Sequence, residues 1–470
     1  MKVLFVSSEV APFAKTGGLG DVAAALPKAL RSSVAAGHDV RVVMPLYSRV
    51  KGLEGATPVV REMVLSLGET RVVVSVLEKD GVYFVRCPGL YGRPGIYTTD
   101  HDEHLRFAVL SWAALALCQR IGFAPDIVHA NDWQTSLMPL LLRTMFAWDR
   151  LFAQTRTVLT IHNIGHQGTF GAGALGDTGL AGAAHHFHQD QLREGRINFL
   201  LTGLLYANAI TTVSPTYARE IQTPEHGASL DGFLRDRRDV LFGVLNGIDE
   251  DEWSPDRDAK IPHRYSLDDL SGKDLCKRAL LASANLPYVD GVPLIGVVSR
   301  LAWQKGFDLC FGVLPRVLSR ARVQLVVLGT GEPQYEDFFA ALARRFPRQV
   351  AYLSAFSEPV AHLIEAGSDM FLMPSRYEPC GLNQMYSLRY GTVPIVHRTG
   401  GLADTVNAHN GFAFEHFDEQ GLMWALRRAL SLFGTTEWKR LQRNGMEGRF
   451  AWTERVTAYE QIYRLVAPGR

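Results

Sequence analysis

The sequence predicts an α/β protein with two doubly wound parallel sheets, each in its own domain. Three observations lead there. Short apolar runs bounded by Gly, Pro or Asp recur along the chain and alternate with helix-like segments, the pattern of parallel strands covered on both faces. The runs form two sets, separated by the polar stretch Asn246 to Val289, which is rich in Asp, Arg, Lys and Pro. The chain has 470 residues, too many for one core at roughly 100–200 residues per domain.

In chain order, the first set of expected strands is Val3–Ser7, Val40–Met44, Val72–Leu77, Val82–Arg86, Ile127–Ala130, Thr157–Ile161, Ile210–Val213 and Val240–Leu245. The second is Leu294–Val298, Val323–Leu328, Val350–Leu353, Met370–Met373, Val393–Val396 and Phe412–Phe414. Helices are expected at Val22–Leu30, Asp308–Ala321 and Tyr335–Phe346. Lys79-Asp80-Gly81 between Val72 and Arg86 reads as a hairpin turn. The Gly- and Ala-rich segment Gly165 to Gln191 reads as a long functional loop of the lid type.

Composition narrows the function. Hydrophobic residues at 47% and charged residues at 21% exclude intrinsic disorder and collagen-like repeats. Lys plus Arg is 49 and Asp plus Glu is 48, a net charge of +1, so the electrostatic footprint of a general nucleic-acid binder is absent. The apolar stretch Phe107 to Cys118 is too short for a membrane span of about 20 residues and reads as a core helix. Met1–Val6, soon followed by Glu9 and Lys15, reads as a buried strand and not as a signal segment. The five cysteines are widely spaced and odd in number, which argues against a disulfide framework or a thiolate zinc site and suits a reducing cytosol.

The motifs cluster after expected strands. Lys15-Thr16-Gly17-Gly18-Leu19-Gly20-Asp21-Val22 opens a helix, so its backbone N–H groups and the Lys15 cation form a ready phosphate site. Its match to the dinucleotide pattern is misleading. Glycines in that fingerprint follow the strand directly, and an acid ends the second strand, whereas here that strand ends in Met44-Pro45. This argues against a nicotinamide oxidoreductase.

Arg300 and Lys305, after Leu294–Val298, suit phosphate binding by bidentate and point-charge contacts. Glu378, in Tyr377-Glu378-Pro379-Cys380-Gly381-Leu382, suits sugar hydroxyls, and Thr399-Gly400-Gly401 forms a second glycine loop. In the first half, His129, Asp132 and His162 follow strands on the same expected sheet edge as Asp21. The His185-His186-Phe187-His188 cluster lacks a carboxylate or Cys at metal-ligand spacing and reads as a loop.

Taken together, these motifs resemble bacterial glycogen synthases, and plant starch synthases share the pattern. The resemblance rests on Lys15 to Val22, Asp132-Trp133, Thr160-Ile161-His162-Asn163, Val213 to Ala218, Leu245 to Asp249, Ser299-Arg300-Leu301, Gln304-Lys305-Gly306, Glu378 to Leu382 and Arg398 to Leu402, and runs from Met1 to about Tyr463. It implies the type-B glycosyltransferase architecture, two Rossmann-like domains facing across a cleft. The expected boundaries are 1–246 for an acceptor and catalytic domain, 247–450 for a nucleotide-sugar domain, and 451–470 for a helix returning to the first. It implies transfer of glucose from ADP-glucose to the non-reducing end of an α-1,4-glucan with retention, in the cytoplasm, with no metal, no cofactor, no nucleic acid and no membrane.

The resemblance also implies roles. Lys15 and the Gly17-Gly18 backbone contact the diphosphate, and Arg300 and Lys305 stabilise the leaving phosphate. Glu378 and the Gly400-Gly401 backbone orient glucose and phosphate, with Cys380 and Thr399 in the same two loops. His162 lies by the reacting carbon, Asp21 and Asp132 set sugar and acceptor, Asn246 sits by the donor, and Phe356 stacks on the base. The chain departs from the family at Asn131 (often His), His166 (usually Tyr) and Leu201 (often Lys), and it carries Tyr386 where the broader class has a second Glu. Two alternatives stay open: a UDP-glucose-using or starch-type glucosyltransferase, and a catalytically weak glucan-binding protein.

Overall fold

The computed structural model describes residues 1–33, 37–467 and 469. The chain forms two compact units, Met1–Leu245 with Trp452–Arg470, and Asn246–Ala451.

In the first unit the strands are β1 (Lys2–Val6), β2 (Asp39–Pro45), β3 (Thr57–Leu67), β4 (Thr70–Lys79), β5 (Val82–Arg86), β6 (Ile127–Asn131), β7 (Arg156–Ile161), β8 (Thr169–Gly171), β9 (Arg196–Asn198), β10 (Ala209–Thr212) and β11 (Leu241–Gly243). Nine of them make one sheet in the order β11-β10-β7-β6-β1-β2-β5-β4-β3. From β11 to β5 all neighbours are parallel; β4 and β3 are antiparallel additions. The sheet centre explains why its strands read as continuous apolar runs: β1 is buried beyond Lys2, and β6 is buried throughout.

The helix Gly18–Arg31 buries Leu19, Val22, Ala23, Leu26 and Leu30, spaced at three and four residues. Glu103–Ile121 is buried on most of its surface and ends at Gly122, which adopts φ 65°. The final helix Trp452–Val466 belongs to this unit and buries Tyr459 and Tyr463.

The second unit holds β12 (Leu294–Val298), β13 (Gln324–Leu328), β14 (Val350–Leu353), β15 (Met370–Met373), β16 (Val393–His397) and β17 (Phe412–Phe414), in the order β14-β13-β12-β15-β16-β17 and all parallel. Apolar clusters cover its two faces, one around Phe307, Val313, Phe339 and Leu426, the other around Leu280, Ile364 and Phe371. No helix among the described residues is long and apolar enough to cross a membrane.

Two expectations change. The eleven-residue β3 is not a short apolar run, because Arg61 and Glu62 interrupt it at a register shift. Its far end does alternate, with Met63, Leu65 and Leu67 buried and Val64 and Ser66 exposed. The expected lid at Gly165 to Gln191 is built of β8, a short helix Ala174–Asp177 and a 3₁₀ turn Ala181–His186. It is pinned down: Trp112 Nε1 donates to the Thr178 carbonyl at 2.9 Å, and His104 Nε2 lies 3.0 Å from the Asp177 carboxylate.

Candidate active site

Open parallel sheets hold ligands beyond the carboxyl ends of strands where the strand order reverses. In the first unit that point is β1, flanked by β2 and β6; in the second it is β12, flanked by β13 and β15. Apart from Asn246, which follows the edge strand β11, the residues singled out from the sequence lie after these strands or their neighbours.

In the first unit, the glycine loop between β1 and the helix Gly18–Arg31 carries Lys15, whose Nζ pairs with Asp21 Oδ1 at 2.6 Å. Gly17 is extended, at φ −164°, and a Cβ there would meet nothing within 4 Å. The protein itself places no steric demand for glycine at this position, which leaves room for a ligand. The loop is anchored by Glu9, 2% exposed, whose carboxylate accepts from the Thr16 N–H, from Thr16 Oγ1 at 2.6 Å and from the Tyr97 hydroxyl at 2.5 Å. Sequence reasoning missed this role of Glu9. The available signal was an acid directly after the small polar pair Ser7-Ser8 at the end of a buried strand.

Beyond β6 and β7 lie Asn131, Asp132 and His162. Asp132 has a left-handed backbone, φ 54° and ψ −174°, a conformation that non-glycine residues hold only when the surroundings impose it. Its Oδ1 accepts the His162 N–H at 2.7 Å, and the Asn163 N–H also donates to this carboxylate. Burial nevertheless pushes its pKa up to about 7, against the pull of these two amides and with a further push from the Glu9 charge. Burial pushes His162 down to about 3, so its ring is neutral at ordinary pH. His162 Nε2 is 2.9 Å from Asn131 Oδ1.

His129 has a different position. Its Nδ1 bonds the Tyr463 hydroxyl at 2.7 Å and its Nε2 bonds Thr160 Oγ1 at 2.6 Å, so it is a satisfied core histidine. Leu201 is buried inside the helix Phe199–Tyr206.

In the second unit, Arg300 and Lys305 follow β12. Lys305 Nζ donates to Glu378 Oε2 at 2.7 Å, and Ser375 Oγ donates to the same oxygen at 2.9 Å. Arg300 is exposed and makes no ion pair among the described residues. Gly306 needs φ 68°, and a side chain there would strike the Pro374 carbonyl oxygen.

The second glycine loop has a packing role. The Gly401 N–H donates to the Glu378 carbonyl at 3.1 Å, and a Cβ on Gly400 or Gly401 would run into the Glu378 or Cys380 carbonyl oxygen. Thr399 precedes the helix Gly400–Thr405, and Thr399 and Cys380 are buried. Asn246 is buried, and its Oδ1 has no hydrogen-bond partner among the described residues. Phe356, after β14, is 89% exposed.

Tyr386, at the position of the broader class's second acid, stacks on Trp253 with ring centroids 3.8 Å apart, and His362 stacks on the other Trp253 face at 3.6 Å. Glu252, Glu358 and His362 approach one another closely, but a lysine fills the space between them: Lys260 Nζ bonds Glu252, Glu358 at 2.7 Å and His362 Nε2 at 3.4 Å. The Lys260 ammonium thus occupies the position between the two carboxylates and the imidazole.

Comparison with known proteins identifies the family and the fold. Residues 2–236 match the starch synthase catalytic domain family, and residues 283–445 match the glycosyl transferases group 1 family. A glycogen synthase of Myxococcus xanthus is 49% identical over 483 residues, covering 99% of this chain and all of that protein. One from Anaeromyxobacter dehalogenans is 47% identical, with both chains covered in full. Among solved structures, the catalytic domain of starch synthase IV from Arabidopsis thaliana, bound to ADP and acarbose, superposes with a TM-score of 0.88 at 33% identity and 99% coverage of each chain. A sucrose-phosphate synthase of Thermosynechococcus elongatus, 17% identical with a TM-score of 0.60, shares the fold. Through its two α/β units, its motifs and its full-length identity, the chain belongs to the glycogen and starch synthase family of retaining glycosyltransferases of the type-B architecture.

Proposed function

We propose that the protein transfers a glucosyl unit from ADP-glucose to the non-reducing end of an α-1,4-glucan with retention at the anomeric carbon. The observation that carries this reading is the group after β12 and β15: an exposed Arg300, outside any ion pair among the described residues, in the same loop as a Lys305 ammonium held on Glu378. Loss of a diphosphate is the hard step in such a transfer, and fixed cations aimed at developing charge typically supply the largest catalytic contribution. Arg300 and Lys305 stabilise the leaving phosphate; Lys15 and the Gly17-Gly18 backbone hold the diphosphate. Glu378 and the Gly400-Gly401 backbone orient the glucose, with Thr399 and Cys380 supporting that loop. His162, Asp132 and Asp21 set the sugar and the acceptor, Asn246 contacts the donor, and Phe356 stacks on the base. The first unit serves acceptor and catalysis, and the second binds the nucleotide sugar.

The engagement of both candidate carboxylates supports retention without a covalent intermediate. Glu378 is engaged by Lys305 and Ser375, and Asp132 by two backbone amides. The bond from the anomeric carbon to phosphate breaks, the acceptor hydroxyl oxygen bonds the same face, and its proton passes to the departing phosphate oxygen. Isolation of a glucosyl-enzyme on either carboxylate would overturn this route. The five cysteines, all buried and none in a disulfide, support a reducing cytosol as the setting.

ADP release from ADP-glucose, measured with and without glycogen, tests the function. Release that depends on glycogen is expected, and faster than UDP release from UDP-glucose. Release that ignores glycogen, a preference for UDP-glucose, or glycogen binding without turnover would each reject the reading.

A further inference from the structure

The end of β6 carries an arrangement that the transfer reaction does not by itself explain. Asn131 is 1% exposed, and its side chain is held on both sides. Its Nδ2 donates to the Val6 carbonyl at the end of β1, at 3.0 Å, and its Oδ1 faces His162 Nε2 at 2.9 Å. A carbonyl oxygen can only accept, so Val6 fixes which end of the amide carries nitrogen. The oxygen that meets His162 can only accept, so the ring nitrogen opposite it must carry the hydrogen. The Asn131 main chain is also clamped, its N–H donating to Thr135 Oγ1 at 2.6 Å and its carbonyl accepting from that hydroxyl at 2.9 Å. The His162 backbone N–H is held by Asp132 at 2.7 Å, so ring and main chain are both anchored. His162 Nδ1 has no hydrogen-bond partner among the described residues.

We propose that Asn131 is a positioning residue for the transfer: it locks the His162 ring as the Nε2–H tautomer and presents Nδ1 as an acceptor for a hydroxyl of the donor sugar. The proposal rests on the reading that His162 faces that sugar. The chemistry favours an amide for the task. A neutral imidazole has one donor and one acceptor nitrogen, and the bond made by one decides the role of the other. A carboxylate at position 131 would fix the same tautomer, but it would also draw the ring toward its charged form, in which Nδ1 becomes a donor. Of the other titratable groups, His129 on β6 interacts with the ring's charge, Asp132 holds the His162 backbone N–H, and Glu9 after β1 acts on Asp132.

The test uses the full chain labelled with ¹⁵N-histidine, the His162 signals being assigned by their loss in His162→Gln. In the unsubstituted protein, Nε2 should be protonated and Nδ1 bare. Asn131→Ala should give a mixture of tautomers and a fall in kcat on the order of tenfold to a hundredfold, the scale of small misplacements at a reacting centre. Asn131→Asp should restore the tautomer but move the acid limb of the kcat profile to higher pH, because the carboxylate favours imidazolium. Should Asn131→Ala not fold, the first and third measurements decide. A His162 ring protonated at Nδ1, or an Asn131→Asp profile that coincides with the parent, overturns the proposal. His162→Ala separates this from the underlying reading: normal turnover there rejects the sugar-facing role of His162, whereas lost turnover together with the wrong tautomer rejects the Asn131 lock alone.

Discussion

Lys305 and Glu378 meet at 2.7 Å, joining the loops that follow two adjacent parallel strands, β12 and β15. The pair is mostly buried, with side-chain exposures of 19% and 7%. The cation proposed to receive leaving-group charge is therefore held in place by the carboxylate proposed to orient the sugar.

Lys305→Met should act on both stability and rate. It strands the Glu378 carboxylate with Ser375 as its remaining side-chain donor among the described residues. The expected loss is about 3 kcal/mol in denaturant unfolding, since breaking a buried pair leaves an uncompensated charge. The kcat should fall on the order of 10²–10³-fold. Arg300→Met removes an exposed group outside any ion pair among the described residues, so it should lower kcat comparably at almost unchanged stability. Equal stability losses in the two variants would contradict the structural distinction.

The two glycine loops should respond differently to alanine. Gly401→Ala places a methyl against the Cys380 carbonyl and should destabilise the protein measurably as well as inactivate it. Gly17→Ala meets open space on an extended backbone and should stay within about 0.5 kcal/mol of the parent in stability while losing activity. A fully active Gly17→Ala enzyme would mean that no ligand approaches that backbone.

Three buried groups set an acid dependence. His129 and His162 are held neutral to about pH 3, so unfolding below pH of about 6.5 takes up two protons, and their stabilising contribution is lost as pH falls through that window. Asp132, raised to about 7, works oppositely: the folded state binds its proton between about pH 4 and 7, and its contribution is lost as pH rises through that range. Two minus one leaves a net uptake of one proton on unfolding near pH 5 from these groups. Asp132→Asn should steepen the acid-side loss of stability and raise stability above pH 7, measured by urea unfolding across pH. A parallel shift of the whole curve would show that Asp132 does not titrate in this range.

Phe356→Ala should leave folding within about 0.5 kcal/mol, because the ring is 89% exposed. ADP binding by calorimetry should weaken by about 1–3 kcal/mol, the scale of base stacking on an aromatic side chain. Phe356→Tyr should bind as the parent does. Unchanged ADP affinity in the alanine variant would remove Phe356 from the site.

Much of this protein is readable along the chain because parallel strands buried on both faces must be short, apolar and punctuated. All six second-unit strands follow that rule, as do most of those in the first unit. The places of Lys15, Asp132, His162, Arg300, Lys305, Glu378 and Gly400-Gly401 in the loops after such strands are also legible, because the strand pattern fixes where those loops begin. The tertiary structure alone decides which of these groups face one another. Glu9 as the anchor of Thr16 and Tyr97, Asn131 as the partner of His162, His129 as a core residue held by Tyr463, and Lys260 in place of a metal all depend on hydrogen bonds between residues distant in sequence. Spacing along a chain encodes the local period of a helix or strand, whereas a partner 334 residues away from His129 is chosen only when the packed core brings the two side chains into the same dry space.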